Sequence, residues 1–130
     1  MSVRYLDQDF AVSAQVAPEA VSELCSAGFA AIICNRPDSE GDGQPAFAAV
    51  AGQARACGVE AHYLPVVPGE ITVRDVEAFA ALFAAAPKPI LAYCRTGLRA
   101  ETLWQLSAGL RDGELDSGRQ GSAQRCSKVV

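Results

Sequence analysis

The chain has 130 residues, half of them hydrophobic, with 11 Lys and Arg against 15 Asp and Glu for a formal charge of −4. That length and apolar content suit one core and one domain. The acidic balance excludes a broad basic surface for nucleic acid or anionic lipid, so a small-molecule partner is expected and any attraction for anions must be local.

The opening residues Met1-Ser2-Val3-Arg4-Tyr5 lack the apolar core of a signal peptide, and no run approaches the ~20 apolar residues of a membrane span. A cytoplasmic protein is expected. Cysteines stand at Cys25, Cys34, Cys57, Cys94 and Cys126, an odd number without CxxC pairs or neighbouring histidines. Neither a disulfide frame nor a metal site is expected from such spacing, and no cofactor is implied.

In chain order, Val3 to Leu6 and Phe10 to Ser13 are short apolar segments on either side of Asp7-Gln8-Asp9, the spacing of an opening hairpin. Pro18 suits a first helical turn, Val21, Leu24 and Cys25 fall on one face, and Gly28 suits the helix stop. Phe29 to Cys34 reads as a buried strand, with Cys34 as a small packing group at its end. The polar loop Asn35 to Gln44 comes next. Loops at the C-terminal ends of strands in open α/β sheets commonly line ligand sites, so Asn35 and Arg36 are candidates to touch a substrate. By residue type alone a second reading stands level with it, in which Asn35 bonds backbone and Arg36 pairs with Asp38 or Glu40.

Pro45 opens a second helix carrying Phe47, Val50, Ala51 and Ala54 and ending at Gly58. Val59 to Pro65 is the next strand, and its His62 reads as a hydrogen-bonded structural group. The loop Val66 to Ile71 leads to a helix beginning near Thr72, with Asp75 placed to complete a capping box and Val76, Phe79, Ala80 and Phe83 as the buried stripe. Glu70 is the only acidic residue on that loop and a further candidate to contact substrate.

The stretch from Ile90 to Ala100 carries the chemistry. Ile90 to Tyr93 reads as a strand and Arg99 to Leu110 as a helix, so Cys94 stands where strand hands over to helix. The turn Cys94-Arg95-Thr96-Gly97-Leu98-Arg99 can direct backbone N–H groups inward as an anion nest at the positive end of that helix. Such surroundings favour a thiolate, which makes Cys94 the candidate nucleophile. Arg99 offers a planar fork to an oxyanion, Arg95 adds positive charge, and Gly97 permits the positive φ that a tight nest needs. Arg95, Thr96, Gly97 and Leu98 together make the candidate anion-binding loop. Residues 111–130 are polar and glycine-rich and are expected to form a flexible tail, with Cys126 incidental to it.

The Cys94 to Arg99 loop resembles the active loops of rhodanese sulfurtransferases and of tyrosine and dual-specificity phosphatases. Phosphatases of that type place five residues between cysteine and arginine, and the four found here resemble the shorter rhodanese loop. The order of elements resembles the phosphatase fold. More specifically, Val12-Ser13-Ala14-Gln15-Val16, Cys34 to Glu40 with Gln44-Pro45, Leu64-Pro65-Val66, Leu91 to Gly97 and Leu103-Trp104 resemble the phosphatase-like domain of the beta-lactamase hydrolase-like proteins. That resemblance implies a single α/β domain over residues 1–110, largely parallel in its sheet and flanked by helices. It also implies an aspartate general acid on the connection at Val66 to Ile71 if the chain were a phosphatase, and this chain has none there.

Three functions follow as expectations. In the first, Cys94 takes sulfane sulfur from thiosulfate or a persulfide, a small-molecule donor, and passes it to a thiol acceptor such as glutathione. No strong general acid is needed because sulfite or a thiolate leaves readily. In the second, Cys94 attacks a phosphate monoester, where a proton donor is worth ~10²- to 10⁴-fold. The third is a catalytically idle domain that binds anions or receives persulfide.

Overall fold

The computed structural model describes residues 2–111, so most of the expected tail and Cys126 lie outside the described residues. The opening hairpin joins β1 (Val3–Asp7) to β2 (Phe10–Ser13) in antiparallel pairing. The Asp7 carboxylate accepts the Asp9 N–H at 2.9 Å, which closes the turn. A 3-10 turn at Pro18–Ala20 runs into α1 (Val21–Ser26), followed by β3 (Ala31–Cys34), α2 (Phe47–Ala56) and β4 (Glu60–Tyr63). Then come α3 (Val73–Ala85), β5 (Ile90–Tyr93) and α4 (Leu98–Leu106).

The strands lie in the order β1-β2-β5-β3-β4, and every pairing except the hairpin is parallel. β5 is therefore central. Its four residues are buried, as are those of β2 and β3 beside it, which is why these strands read as nearly unbroken apolar runs. Alternation sends Phe10, Val12, Ala31, Ile33, Ile90 and Ala92 to one face, against α3 and α4. Ala11, Ile32, Cys34, Leu91 and Tyr93 face the other way, against α1 and α2. The sheet is thus a middle layer between two pairs of helices. Trp104 stacks on Phe10 with ring centroids 4.4 Å apart, which ties α4 to β2.

The capping box on α3 forms as the spacing predicts: Thr72 Oγ1 accepts the Asp75 N–H at 3.1 Å, and Asp75 Oδ2 accepts the Thr72 N–H at 2.9 Å. Two boundaries differ. The second helix begins at Phe47, whose N–H donates to Asp38 Oδ1 at 2.8 Å, so its cap comes from the preceding loop and not from a neighbour in sequence. α4 ends at Leu106, short of Leu110, where Ser107 turns its hydroxyl to the Trp104 carbonyl at 3.1 Å before a last helical turn at 108–111. No helix among the described residues is long and apolar enough to cross a membrane.

Candidate active site

Three loops leave the C-terminal ends of parallel strands on the same edge of the sheet, after β3, β4 and β5. They enclose a cavity of about 830 Å³. The loop after β5 supplies Cys94, Arg95 and Thr96, and α4 continues it with Leu98, Arg99 and Thr102. Arg36, Glu40, Gly41 and Asp42 come from the loop after β3, and Pro68, Gly69 and Ile71 from the loop after β4.

Cys94 is 1% exposed and faces the cavity from its floor. The chain turns sharply after it because Gly97 adopts a left-handed φ of +98° and caps α4. A Cβ there would stand 3.3 Å from the carbonyl carbon and oxygen of Ser13, so both conformation and space call for glycine. The turn delivers the Gly97 N–H to Cys94 Sγ at 3.0 Å. Sulfur is the acceptor in that bond. The Leu98 N–H is held by Thr96 Oγ1 at 3.3 Å. The amides of Arg95, Thr96, Arg99 and Ala100 make no hydrogen bond among the described residues. These are the free donors expected of an anion nest running into a helix start.

Arg99 is held more tightly than a residue type can reveal. Its Nη1 donates to the carbonyls of Asn35 at 3.3 Å and Val66 at 3.0 Å and to Glu40 Oε2 at 3.0 Å, while Nη2 donates to Glu40 Oε1 at 3.1 Å. The end-on fork that the sequence offered to a substrate is thus taken by Glu40. Arg36 reaches the same carboxylate, Nε to Oε1 at 2.9 Å, and anchors itself on Gln15 Oε1 at 3.0 Å. Burial alone would push the Glu40 carboxyl up, but the hydrogen bonds and charges of Arg99 and Arg36 outweigh it and hold the carboxyl below the usual carboxylate range.

Not every sequence candidate arrives here. Asn35 is fully buried, donates from Nδ2 to the Leu64 carbonyl at 2.9 Å and does not line the cavity. It spaces the β3 and β4 loops, as the backbone-bonding reading had it, and its side chain is not placed to touch a substrate. Arg36 does line the cavity but is paired with Glu40. Glu70 is exposed and contributes nothing to the lining, because the turn closed by its N–H on the Val67 carbonyl aims it outward between Gly69 and Ile71. Sequence reasoning passed over Asp42, Thr102 and Gln15, and gave Glu40 no part in the site. No group of three metal-ligating His, Cys, Asp or Glu side chains occurs among the described residues.

The sequence pattern of one known family, described as beta-lactamase hydrolase-like protein, phosphatase-like domain, matches residues 2–111. A beta-lactamase hydrolase-like protein of Agrobacterium fabrum is 39% identical over 92 residues, covering 71% of this chain. The matched part spans only 21% of that longer relative. Among solved structures, a candidate phosphatase of Neisseria meningitidis is 34% identical, with a TM-score of 0.79 over 98% of this chain and 89% of its own. Tk-PTP in its active form is 19% identical and superimposes with a TM-score of 0.63 over 98% of this chain and 82% of its own. That last likeness concerns the fold alone.

Proposed function

Because this chain belongs to the family of phosphatase-like domains of beta-lactamase hydrolase-like proteins and has the cysteine-phosphatase-like fold, we propose that it is a thiolate enzyme whose cargo is sulfane sulfur. The observation that carries this choice is the loop itself. Four residues separate Cys94 from Arg99, and the turn is closed tightly enough for the Gly97 N–H to meet the sulfur at 3.0 Å. A cradle of that size suits a terminal sulfur on cysteine better than a fully coordinated phosphoryl group.

In the first step the Cys94 thiolate attacks the outer sulfur of thiosulfate, an S–S bond forms, and sulfite leaves with the bonding pair. In the second an acceptor thiolate such as that of glutathione attacks the terminal sulfur of the Cys94 persulfide, leaves as a new persulfide and restores the thiolate. Neither step needs a proton donor at the leaving group. The free loop amides and Arg99 hold the oxyanion of the donor and stabilise the charge that develops on it. A cavity of about 830 Å³ is far larger than thiosulfate and leaves room for the acceptor.

Phosphoryl transfer is the second reading, and the comparisons favour it over sulfur transfer, because the Neisseria meningitidis relative is described as a candidate phosphatase. Asp42 in the cavity lining also supports it. This carboxyl comes from the loop after β3, not from the Val66 to Ile71 connection, and would protonate a departing alkoxide while Cys94 takes the phosphoryl group. One preparation assayed for thiosulfate-to-glutathione transfer and for aryl phosphate hydrolysis separates the two. Sulfur transfer without phosphate hydrolysis is expected. Hydrolysis that falls in Asp42→Asn, with no sulfur transfer, overturns the choice.

A further inference from the structure

Cys25 and Cys57 take no part in the cavity, yet they meet across two helix ends. Cys25 stands in the last turn of α1, and Cys57 is the C-cap of α2. The Cys25 thiol donates to the Cys57 carbonyl at 3.5 Å, although the two lie 32 positions apart in sequence. Their sulfurs are within hydrogen-bonding reach of each other as well: partial desolvation first, and then the hydrogen bond and charge of Cys25, push the Cys57 thiol up. Cys57 is exposed and Cys25 partly so, whereas Cys34 and Cys94 are buried, and all four are free thiols. A reagent in solution therefore reaches this pair from outside.

The backbone holds both thiols in place. At the end of α1 the Gly28 N–H donates to the Cys25 carbonyl at 3.0 Å and the Phe29 N–H to the Leu24 carbonyl at 3.2 Å. At the end of α2 the Gly58 N–H donates to the Arg55 carbonyl at 3.1 Å and the Val59 N–H to the Ala54 carbonyl at 2.9 Å. Both helix ends are thus closed, and Leu24 and Ala54 seat the two helices on one face of the sheet. Two thiols kept in contact on packed elements have little freedom left to lose on bridging, and their reaction with each other is effectively unimolecular. The pair precedes β3 and β4, which begin at Ala31 and Glu60, so it lies at the sheet edge opposite the one that carries Cys94.

We propose that Cys25 and Cys57 are a redox modification site, a dithiol that a low-molecular-weight disulfide such as glutathione disulfide oxidises to an intramolecular bridge between α1 and α2. In the first step one protein thiolate attacks a sulfur of the reagent, a mixed disulfide forms, and one glutathione thiolate leaves with the bonding pair. In the second the other protein thiolate attacks the protein sulfur of that mixed disulfide, the bridge closes, and a second glutathione thiolate leaves. The two protein thiols give up two protons and two electrons, and the reagent takes them as two molecules of glutathione. The bridge encloses the stretch of chain that holds β3 and α2, and it restricts the unfolded chain without touching Cys94. This holds whatever cargo Cys94 carries.

The test treats the full chain with glutathione disulfide at about pH 8.5, where an ordinary thiol is half ionised, then blocks the remaining thiols and maps the peptides by mass spectrometry. The parent should yield a linked pair of Cys25 and Cys57 peptides, ~2 Da lighter than the two reduced peptides together, with no glutathione on either. In Cys25→Ser no second thiol is left to close the bridge, and glutathione should stay on Cys57 as an adduct of ~305 Da. The same treatment should raise the unfolding midpoint of the parent by about 5 °C or more and leave that of Cys25→Ser unraised. Separate glutathione adducts on Cys25 and Cys57 in the parent, a bridge from either to another cysteine, or no modification of either overturns the proposal. So does a linked pair that leaves the midpoint unraised, as a bridge strained into place would. No transfer assay enters, so the result stands apart from the choice between sulfur and phosphoryl cargo.

Discussion

Cys34 and Cys94 stand at the same edge of the sheet, one ending β3 and the other following β5, its parallel partner, and they are 2% and 1% exposed. Their sulfurs nevertheless have opposite roles. The Cys34 thiol donates to the Arg36 carbonyl at 3.2 Å, whereas the Cys94 sulfur accepts the Gly97 N–H at 3.0 Å. Burial pushes the Cys34 thiol up, and the opposing contacts of Tyr93 and Arg36 do not cancel it. What separates the two is the backbone that follows. After Cys34 the loop offers a carbonyl, and after Cys94 a left-handed glycine turns amides back toward the sulfur. Burial alone therefore does not set a cysteine's surroundings; the backbone that follows decides whether the sulfur meets a carbonyl or an amide.

The largest expected effect is that of removing the Cys94 sulfur, the proposed nucleophile. Cys94→Ser should lower transfer by about 10³-fold or more, as removal of a nucleophile does elsewhere. Cys34→Ala should stay within about threefold of the parent, losing some stability from a small cavity. Steady-state rates of the two variants, measured side by side with melting curves, check this. If Cys34→Ala proved the more damaging to rate while still folded, the roles would be reversed.

Gly97→Ala comes next. It forces an alanine into a left-handed conformation that costs roughly 1–2 kcal/mol and presses a methyl group on Ser13. Unfolding midpoints should fall accordingly, and transfer should drop by about tenfold as the Gly97 N–H moves off the sulfur. A variant with parental activity would show that the turn is not what distinguishes Cys94.

The smallest effect concerns pH. A thiol whose folded pKa lies above its unfolded value contributes stability that is intact below the unfolded pKa of about 8.5 and is lost as pH rises beyond it. Cys34 is such a group. Denaturant titrations between about pH 8 and 10 should show the parent losing stability by at most about 1.4 kcal/mol per pH unit from this source. In Cys34→Ala the slope should be shallower, and an equal slope would remove Cys34 as its origin.

Much of this was legible in the residues. The apolar runs at Phe10, Ala31 and Ile90 read as strands and form them, Thr72 and Asp75 read as a cap and form it, and Cys94 follows a strand and precedes a helix as its flanking residues suggest. Glu40 was hidden because its partner Arg99 lies 59 residues away, and no local pattern links a loop carboxylate to a helix arginine on another strand's edge. Asn35 misled for a related reason. It stands at a strand end where ligand-binding residues collect, yet its amide bonds the Leu64 carbonyl and is fully buried. Loop position can be read from sequence, but side-chain direction within a loop depends on contacts made across the fold.

The central claim, that the Cys94 sulfur accepts a sulfur atom, is tested most directly on the protein itself. Incubation with thiosulfate followed by peptide mass spectrometry should show one added sulfur, ~32 Da, on the Cys94 peptide and none on the Cys34 peptide, and glutathione should remove it. An unmodified Cys94 peptide, in a preparation whose aryl phosphate hydrolysis is abolished by Cys94→Ser, would contradict sulfur transfer and establish a phosphoryl cargo instead.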